Sequence, residues 1–267
     1  NLPYEIEHIM PDYHLYDGLS TNAEFTDYSI GYLTRGCFRK CGFCVNQKYD
    51  RVFRASELEE FYDPSRRKIA LLDDNFFGFK DWKSDLIKLI DLNKPFKFKQ
   101  GLDERLLTDE KCEMLFSAKY DGDFTFAFDN ISDYELIERK LQMIRRYYDG
   151  EHLKFYVLVG YEGNDITDIE NAFKRINLLR RYKALPYIMR YQSRTEKPCN
   201  DSEWKDIYTN LARWCNQPAL FKKKTFDEFM SETTKDRVKS KYTITMNRLK
   251  TEYPELANKY IYTKFGE

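Results

Sequence analysis

Short runs rich in β-branched and aromatic residues, at 29–34, 68–72, 96–100, 124–128, 155–160 and 186–191, recur about every thirty residues, each followed by a helical pattern. This alternation is the βα rhythm of a parallel sheet or barrel, because parallel neighbours need a crossover long enough to hold a helix. Trp82, Leu86, Leu89 and Ile90 keep helical spacing, as do Ile169, Phe173 and Ile176, and then Ile207, Leu211 and Trp214. Two helix starts read as capping boxes, Ser132 with Glu135 and Thr167 with Glu170. The units share nothing beyond strand then helix, which excludes a solenoid. The rhythm stops in the tail, where 221–267 carries eleven Lys/Arg against seven Asp/Glu and is expected to pack helices on the flank of the core. The organisation expected is a lead-in at 1–27, an α/β core at 28–200 and a helical extension at 201–267.

A chain of 267 residues holds one or two domains, enough for a substantial core. Its 44 Lys+Arg balance 44 Asp+Glu, which removes a strong global positive charge as a warrant for nucleic-acid binding and leaves a local patch open. Mean hydropathy is -0.71, and no run approaches the ~18 apolar residues of a membrane helix, so no membrane partner is expected. The segment 1–27 has six acidic residues and no Lys or Arg, unlike an export signal, and the expected location is cytoplasmic. Lys222, Lys223 and Lys224 read as a solvated face.

In parallel α/β folds ligands bind beyond the carboxyl ends of the strands, which selects Cys37, Asp73, Asp74, Asn75, Gln100, Asp103, Asp129, Gly160 and Arg190. Three of the six cysteines, Cys37, Cys41 and Cys44, fall within eight residues just after the first run. That grouping points to a metal or cofactor rather than to disulfides. Three thiolates on one loop can wrap three corners of a cubane iron-sulfur cluster. Gly36 and Gly42 suit a tight loop, and Arg35, Arg39 and Lys40 favour thiolate over thiol. Structural zinc wants a fourth ligand at short spacing, and none is evident. Cys112 and Cys215 read as inert core thiols; Cys199, beside Pro198 after the last run, could face the mouth of a site. His8, His14 and His152 do not pair with one another in sequence.

The pattern Cys37-x3-Cys41-x2-Cys44, with Phe43 just before the last cysteine and a strand before the loop, resembles the signature of the radical S-adenosylmethionine (radical SAM) enzyme superfamily. Asp73-Asp74-Asn75-Phe76 and Gln100-Gly101-Leu102-Asp103-Glu104-Arg105-Leu106 resemble the branch that includes methylthiotransferases and cobalamin-domain-associated members, and the likeness spans 28–191. The resemblance implies a partial (βα)6 TIM-like barrel with the helical C-terminal extension. It implies a 4Fe-4S cluster on Cys37, Cys41 and Cys44, and S-adenosyl-L-methionine chelating the open iron. Phe43 would then lie near the adenine. Asp73, Asp74 and Asn75 would replace the Gly-Gly-Glu-like segment that meets the amino group, while Gln100, Asp103 and Arg105 would point into the mouth. Asp129 would serve the ribose, Gly160 would let backbone approach the adenine, and Arg190, or failing it Arg139, would meet the carboxylate.

The implied activity is reductive cleavage of S-adenosylmethionine to a 5′-deoxyadenosyl radical that abstracts hydrogen. The electron donor would be a protein such as flavodoxin or ferredoxin. The substrate is not specified: modification or methylation of a nucleic-acid base or a peptide both stay open. No second three-cysteine cluster supports a methylthiotransferase, whereas a preceding cobalamin-type domain, to which 3–16 reads as a lead-in, would support radical methylation. Plainer readings stand beside these. Asp73 and Asp74 suit a solvated turn, Asp103 suits an internal pair with Arg105, Asp129 suits a helix cap and Arg190 suits a surface charge. The whole cysteine loop equally suits a non-catalytic zinc-binding or scaffold protein, or an accessory protein on the same fold.

Overall fold

The computed structural model describes residues 3–15, 26–232 and 236–266 as a mixed α/β protein with parallel sheets and, among those residues, eleven α-helices. The lead-in expected at 1–27 therefore falls partly outside the described residues. The chain forms two compact units, Asn1–Phe126 and Ala127–Glu267.

In the first unit, β1 (Tyr28–Gly31), β4 (Lys68–Leu71) and β5 (Phe96–Phe98) form a parallel sheet in the order β1-β4-β5. Gly31 pairs with Leu71, and Leu71 with Phe98, so the three strands end level with one another. Ile69, Ala70 and Leu71 are all buried, as a central parallel strand with both faces covered demands. Helix α1 (Tyr4–Glu7) opens the unit; α2 (Trp82–Asp91) and α3 (Asp109–Ser117) follow β4 and β5. Helix α2 buries Leu86 and Leu89 completely. β2 (Thr34–Arg35) and β3 (Phe53–Arg54) make a separate antiparallel ladder, Thr34 opposite Arg54 and Arg35 opposite Phe53. The run expected at 29–34 is thus broken: its last residue leaves the parallel sheet for the small ladder. β6 (Phe124–Ala127) lies at the boundary between the units.

In the second unit, β7 (Leu153–Val159) and β8 (Leu185–Arg190) pair in parallel, from Lys154 opposite Leu185 to Val159 opposite Arg190. Leu153, Phe155, Val157 and Val159 alternate onto one wholly buried face. Helices α4 (Tyr134–Tyr147) and α5 (Ile166–Arg181) flank the strand β7 in sequence. Helix α5 buries its expected stripe, with Ile169, Phe173 and Ile176 fully enclosed. The described tail is mostly helical, with short turns between the helices: α6 (Pro198–Asp201), α7 (Lys205–Cys215), α8 (Pro218–Lys223), α9 (Phe226–Glu232), α10 (Asp236–Glu252) and α11 (Pro254–Tyr260). It is fixed to α5 through Phe173, whose ring meets Phe226 at 5.4 Å and Tyr260 at 6.0 Å. Lys222 pairs with Glu151 at 2.7 Å and Lys224 pairs with Glu232, so these two cations of the basic stretch have carboxylate partners.

All six expected strands are present, but the ladders close into a barrel within neither unit. The capping boxes are displaced. Asp165 caps α5, accepting from the Thr167 and Asp168 amides, and Glu170 instead pairs with Lys174 at 3.0 Å. Asn130 accepts from the Ser132 amide at 2.8 Å and caps a single 3-10 turn ahead of α4. In both cases an Asx side chain two residues upstream reaches the free amides first.

Candidate functional site

The cysteine loop hangs from the β2–β3 ladder, which pins both its ends. At its start Gly36 has φ +87° and a Cβ there would stand 2.4 Å from the Arg51 carbonyl, so only glycine fits. Within the loop, the Cys44 amide donates to the Cys41 carbonyl at 2.9 Å. Gln47 Nε2 donates to the carbonyls of Cys41 and Gly42 at 3.0 and 2.8 Å, and Lys40 Nζ to that of Gln47 at 2.8 Å. All three thiols are half-buried. Two accept backbone N–H groups two residues on: Arg39 N donates to Cys37 Sγ at 3.3 Å and Asn46 N to Cys44 Sγ at 3.4 Å. Phe43 is half-buried within the same loop.

Asp73, Asp74 and Asn75 leave the end of β4 and strap the loop in place. Asp73, 1% exposed, accepts from Thr34 N at 2.7 Å, Thr34 Oγ1 at 2.6 Å and Leu33 N at 3.2 Å. Burial pushes its carboxyl up to about 6, against the pull of those three donors. Asp74 accepts from Gly36 N at 2.8 Å and from Asn46 Nδ2 at 2.6 Å, joining the beginning of the loop to its middle. Asn75 Nδ2 donates to Cys37 Sγ at 3.3 Å and lies 3.4 Å from Asp103 Oδ2. These acids are therefore buried or hydrogen-bonded struts rather than solvated turn formers.

Beyond β5, Gln100 is exposed, and Asp103 is the residue that reaches the loop. Its carboxylate takes Arg39 Nε at 2.9 Å and Arg105 Nε at 2.7 Å. Burial opposes its ionisation, but the two guanidinium groups outweigh burial and hold the carboxyl below its ordinary range. The internal pair with Arg105 thus exists and is shared with the cysteine loop. Beside the loop opens a cleft of about 800 Å³, with Tyr32, Arg35, Tyr49 and Phe53 on the loop side and residues of the lead-in, among them Ile6 and His8, on the other.

The remaining candidates lie in the second unit. Asp129 Oδ1 accepts from Leu158 N at 3.0 Å. Arg175 Nη1 gathers the carbonyls of Phe128, Asp129 and Leu158 at 3.0, 2.8 and 2.8 Å, so one buried guanidinium closes the ends of adjacent segments. Gly160 has φ +76°, and a Cβ there would stand 2.3 Å from Cys199 Sγ. Close approach at Gly160 is thus made by a thiol of the same unit. Cys199 is 2% exposed rather than facing a mouth, and burial, then the Asp168 charge, pushes its thiol up to about 11. Arg190 Nη1 donates to Thr209 Oγ1 at 3.2 Å and Asn200 Oδ1 at 3.4 Å. Arg139 is exposed on α4, and Cys112 and Cys215 are buried as expected.

Among the described residues no three His, Cys, Asp or Glu side chains converge closely enough to hold a metal ion. The donor set of the loop nevertheless fits a thiolate-bound cluster: three sulfurs on one short segment, N–H donors aimed at two of them, and a ladder that fixes the loop ends. Asn75 Oδ1 is buried without a hydrogen-bond partner. The chain matches no protein-family model and no curated protein.

Proposed function

We propose that the chain is a radical SAM enzyme in which Cys37, Cys41 and Cys44 hold a 4Fe-4S cluster and S-adenosyl-L-methionine binds beside it, on a partial (βα)6 barrel. The observation that carries this reading is the cysteine loop held from behind by Asp73, Asp74 and Asn75, with N–H groups directed at its sulfurs. When bound, the two groups supply a low-potential electron and a 5′-deoxyadenosyl radical that removes hydrogen from the substrate.

The protein's own contribution is positioning. Asp73 and Asp74 fix Thr34 and Gly36, and through them the origin of the loop, before any ligand arrives. Arg39 ties the loop to Asp103 through its guanidinium, 2.9 Å from the carboxylate, while its amide donates to Cys37 Sγ. Asn75 Oδ1 offers the acceptor for the amino group, and Phe43 offers a ring for the adenine. Gln100, exposed beyond β5, belongs to the proposed cofactor shell within the first unit. A flavodoxin- or ferredoxin-like protein in the cytoplasm would deliver the electron.

Anaerobic reconstitution tests the reading. Expected are about four iron and four sulfide per chain, and 5′-deoxyadenosine by mass spectrometry once S-adenosylmethionine and a strong reductant are added. Stoichiometric zinc without sulfide would instead support a zinc-binding scaffold, and an intact cluster that yields no 5′-deoxyadenosine would overturn the catalytic reading.

A further inference from the structure

We propose that Asn75 sets the reduction potential of the cluster on Cys37, Cys41 and Cys44 by donating its side-chain N–H to Cys37 Sγ; this rests on the cluster reading above. Hydrogen bonds to cluster sulfurs stabilise the more negative, reduced state more than the oxidised one and so raise the potential. Cys37 already accepts the Arg39 amide at 3.3 Å, and Asn75 adds a second donor at 3.3 Å. At 2% exposure Asn75 is shielded from the solvent that would weaken such a bond.

The direction of the amide follows from its neighbours. Turning it over would place Oδ1 against Cys37 Sγ and the Asp103 carboxylate, two acceptors, so the N–H side must face them. Asp103 is already engaged by Arg39 and Arg105 at 2.9 and 2.7 Å, which leaves the sulfur as the amide's nearer partner. The backbone is equally constrained. Asn75 O accepts from Gly78 N at 3.0 Å, and the next two residues, Phe76 and Phe77, are buried, Phe76 lying 4.6 Å from the Phe98 ring. Aspartate would fill the same space with no donor, and glutamine would not fit the same length. Asn75 acts through Cys37 and is a positioning residue for the electron-accepting centre.

The test is a redox titration of the anaerobically loaded full chain, wild type against Asn75→Leu and Asn75→Asp. A viologen-mediated one-electron reductant passes one electron into the cluster, no cysteine–iron bond is broken, and the reduced form is followed by electron paramagnetic resonance. At the potential where wild type is half reduced, the reduced-to-oxidised ratio in Asn75→Leu is expected to fall about tenfold, equivalent to ~59 mV for a one-electron couple. The isosteric Asn75→Asp, which also adds a charge, should shift in the same direction and further. If the leucine variant does not fold, an Asn75→Asp ratio within about twofold of wild type overturns the inference, since the lost donor and the added charge should both lower it. A ratio within about twofold of wild type in folded, fully loaded Asn75→Leu overturns this inference alone. Wild type that binds zinc and no sulfide overturns the cluster reading and this inference together.

Discussion

Two places in the molecule set a thiol beside a positive-φ glycine and a carboxylate, and they come out oppositely. In the first unit Gly36 leads into three half-buried thiols, of which Cys37 and Cys44 accept N–H groups, with Arg39 in the same loop. In the second, Gly160 is pressed against Cys199, a buried thiol that lies 3.6 Å from the Val159 carbonyl it faces as donor. There Asp168 accepts from Gly160 N and Tyr208 OH, both at 2.8 Å, and burial holds its carboxyl above the ordinary range. What surrounds the sulfur separates the two: N–H donors on a half-buried loop suit the proposed ligand role, while burial beside an acid suits a packing group.

The largest effect should come from removing a sulfur of the first kind. Cys41→Ala is expected to lose bound iron and sulfide and to abolish 5′-deoxyadenosine formation while circular dichroism stays unchanged; the mirror substitution, Cys199→Ala, should retain the full iron and sulfide content. Equal loss in both would end the distinction between the two thiols.

Next in size is the packing at Gly160. Gly160→Ala forces a Cβ into Cys199 and strains a left-handed backbone, at a cost of about 3 kcal/mol in urea unfolding. Combined with Cys199→Ala, the steric part should vanish and only ~1–2 kcal/mol of backbone strain remain. Strict additivity of the two substitutions would show that the thiol does not fill that space.

Asp73 gives a pH signature of comparable or smaller size. Its folded carboxyl titrates at about 6, above the ordinary 3.8, so the folded chain binds more protons between those values. Its contribution is therefore fully present below about pH 4, falls by roughly 2–3 kcal/mol as pH rises to about 6, and is level above that. Relative to Asp73→Asn, wild type should lose stability across that window in denaturant titrations, and parallel curves would exclude a buried, titrating Asp73. The smallest effect is expected from Arg39→Gln, about 1 kcal/mol, since Arg39 is a third exposed and its bond to Asp103 is partly screened by solvent.

The strands and apolar stripes were legible because burial imposes a period on the residues themselves, as at Ile169, Phe173 and Ile176. β2 and β3 were not, because two residues are too few to show alternation, and their pairing is fixed by the loop between them. The caps slipped to Asp165 and Asn130 because several Asx and hydroxyl residues adjoin each helix start and only geometry selects one. In the site, Asp73 to Asn75 were legible as strand-end polar groups. Which atom each would grip was not: the Asp74 bond to Gly36 and the Asp103 bond to Arg39 join residues far apart in the chain. The use of Gly160 was hidden for the same reason, since its partner Cys199 lies beyond the next strand.

The ladder at the neck of the cysteine loop bears on how the proposed cluster would be loaded. Bringing the ends of a long loop together costs entropy whenever it happens, and here the Thr34–Arg54 and Arg35–Phe53 pairs impose that closure during folding. A metal that must itself order its ligands couples loading to folding. A loop already closed uncouples them, so under the proposed reading a cluster would be loaded onto a folded acceptor, and its loss would leave the shape of the loop's neck intact.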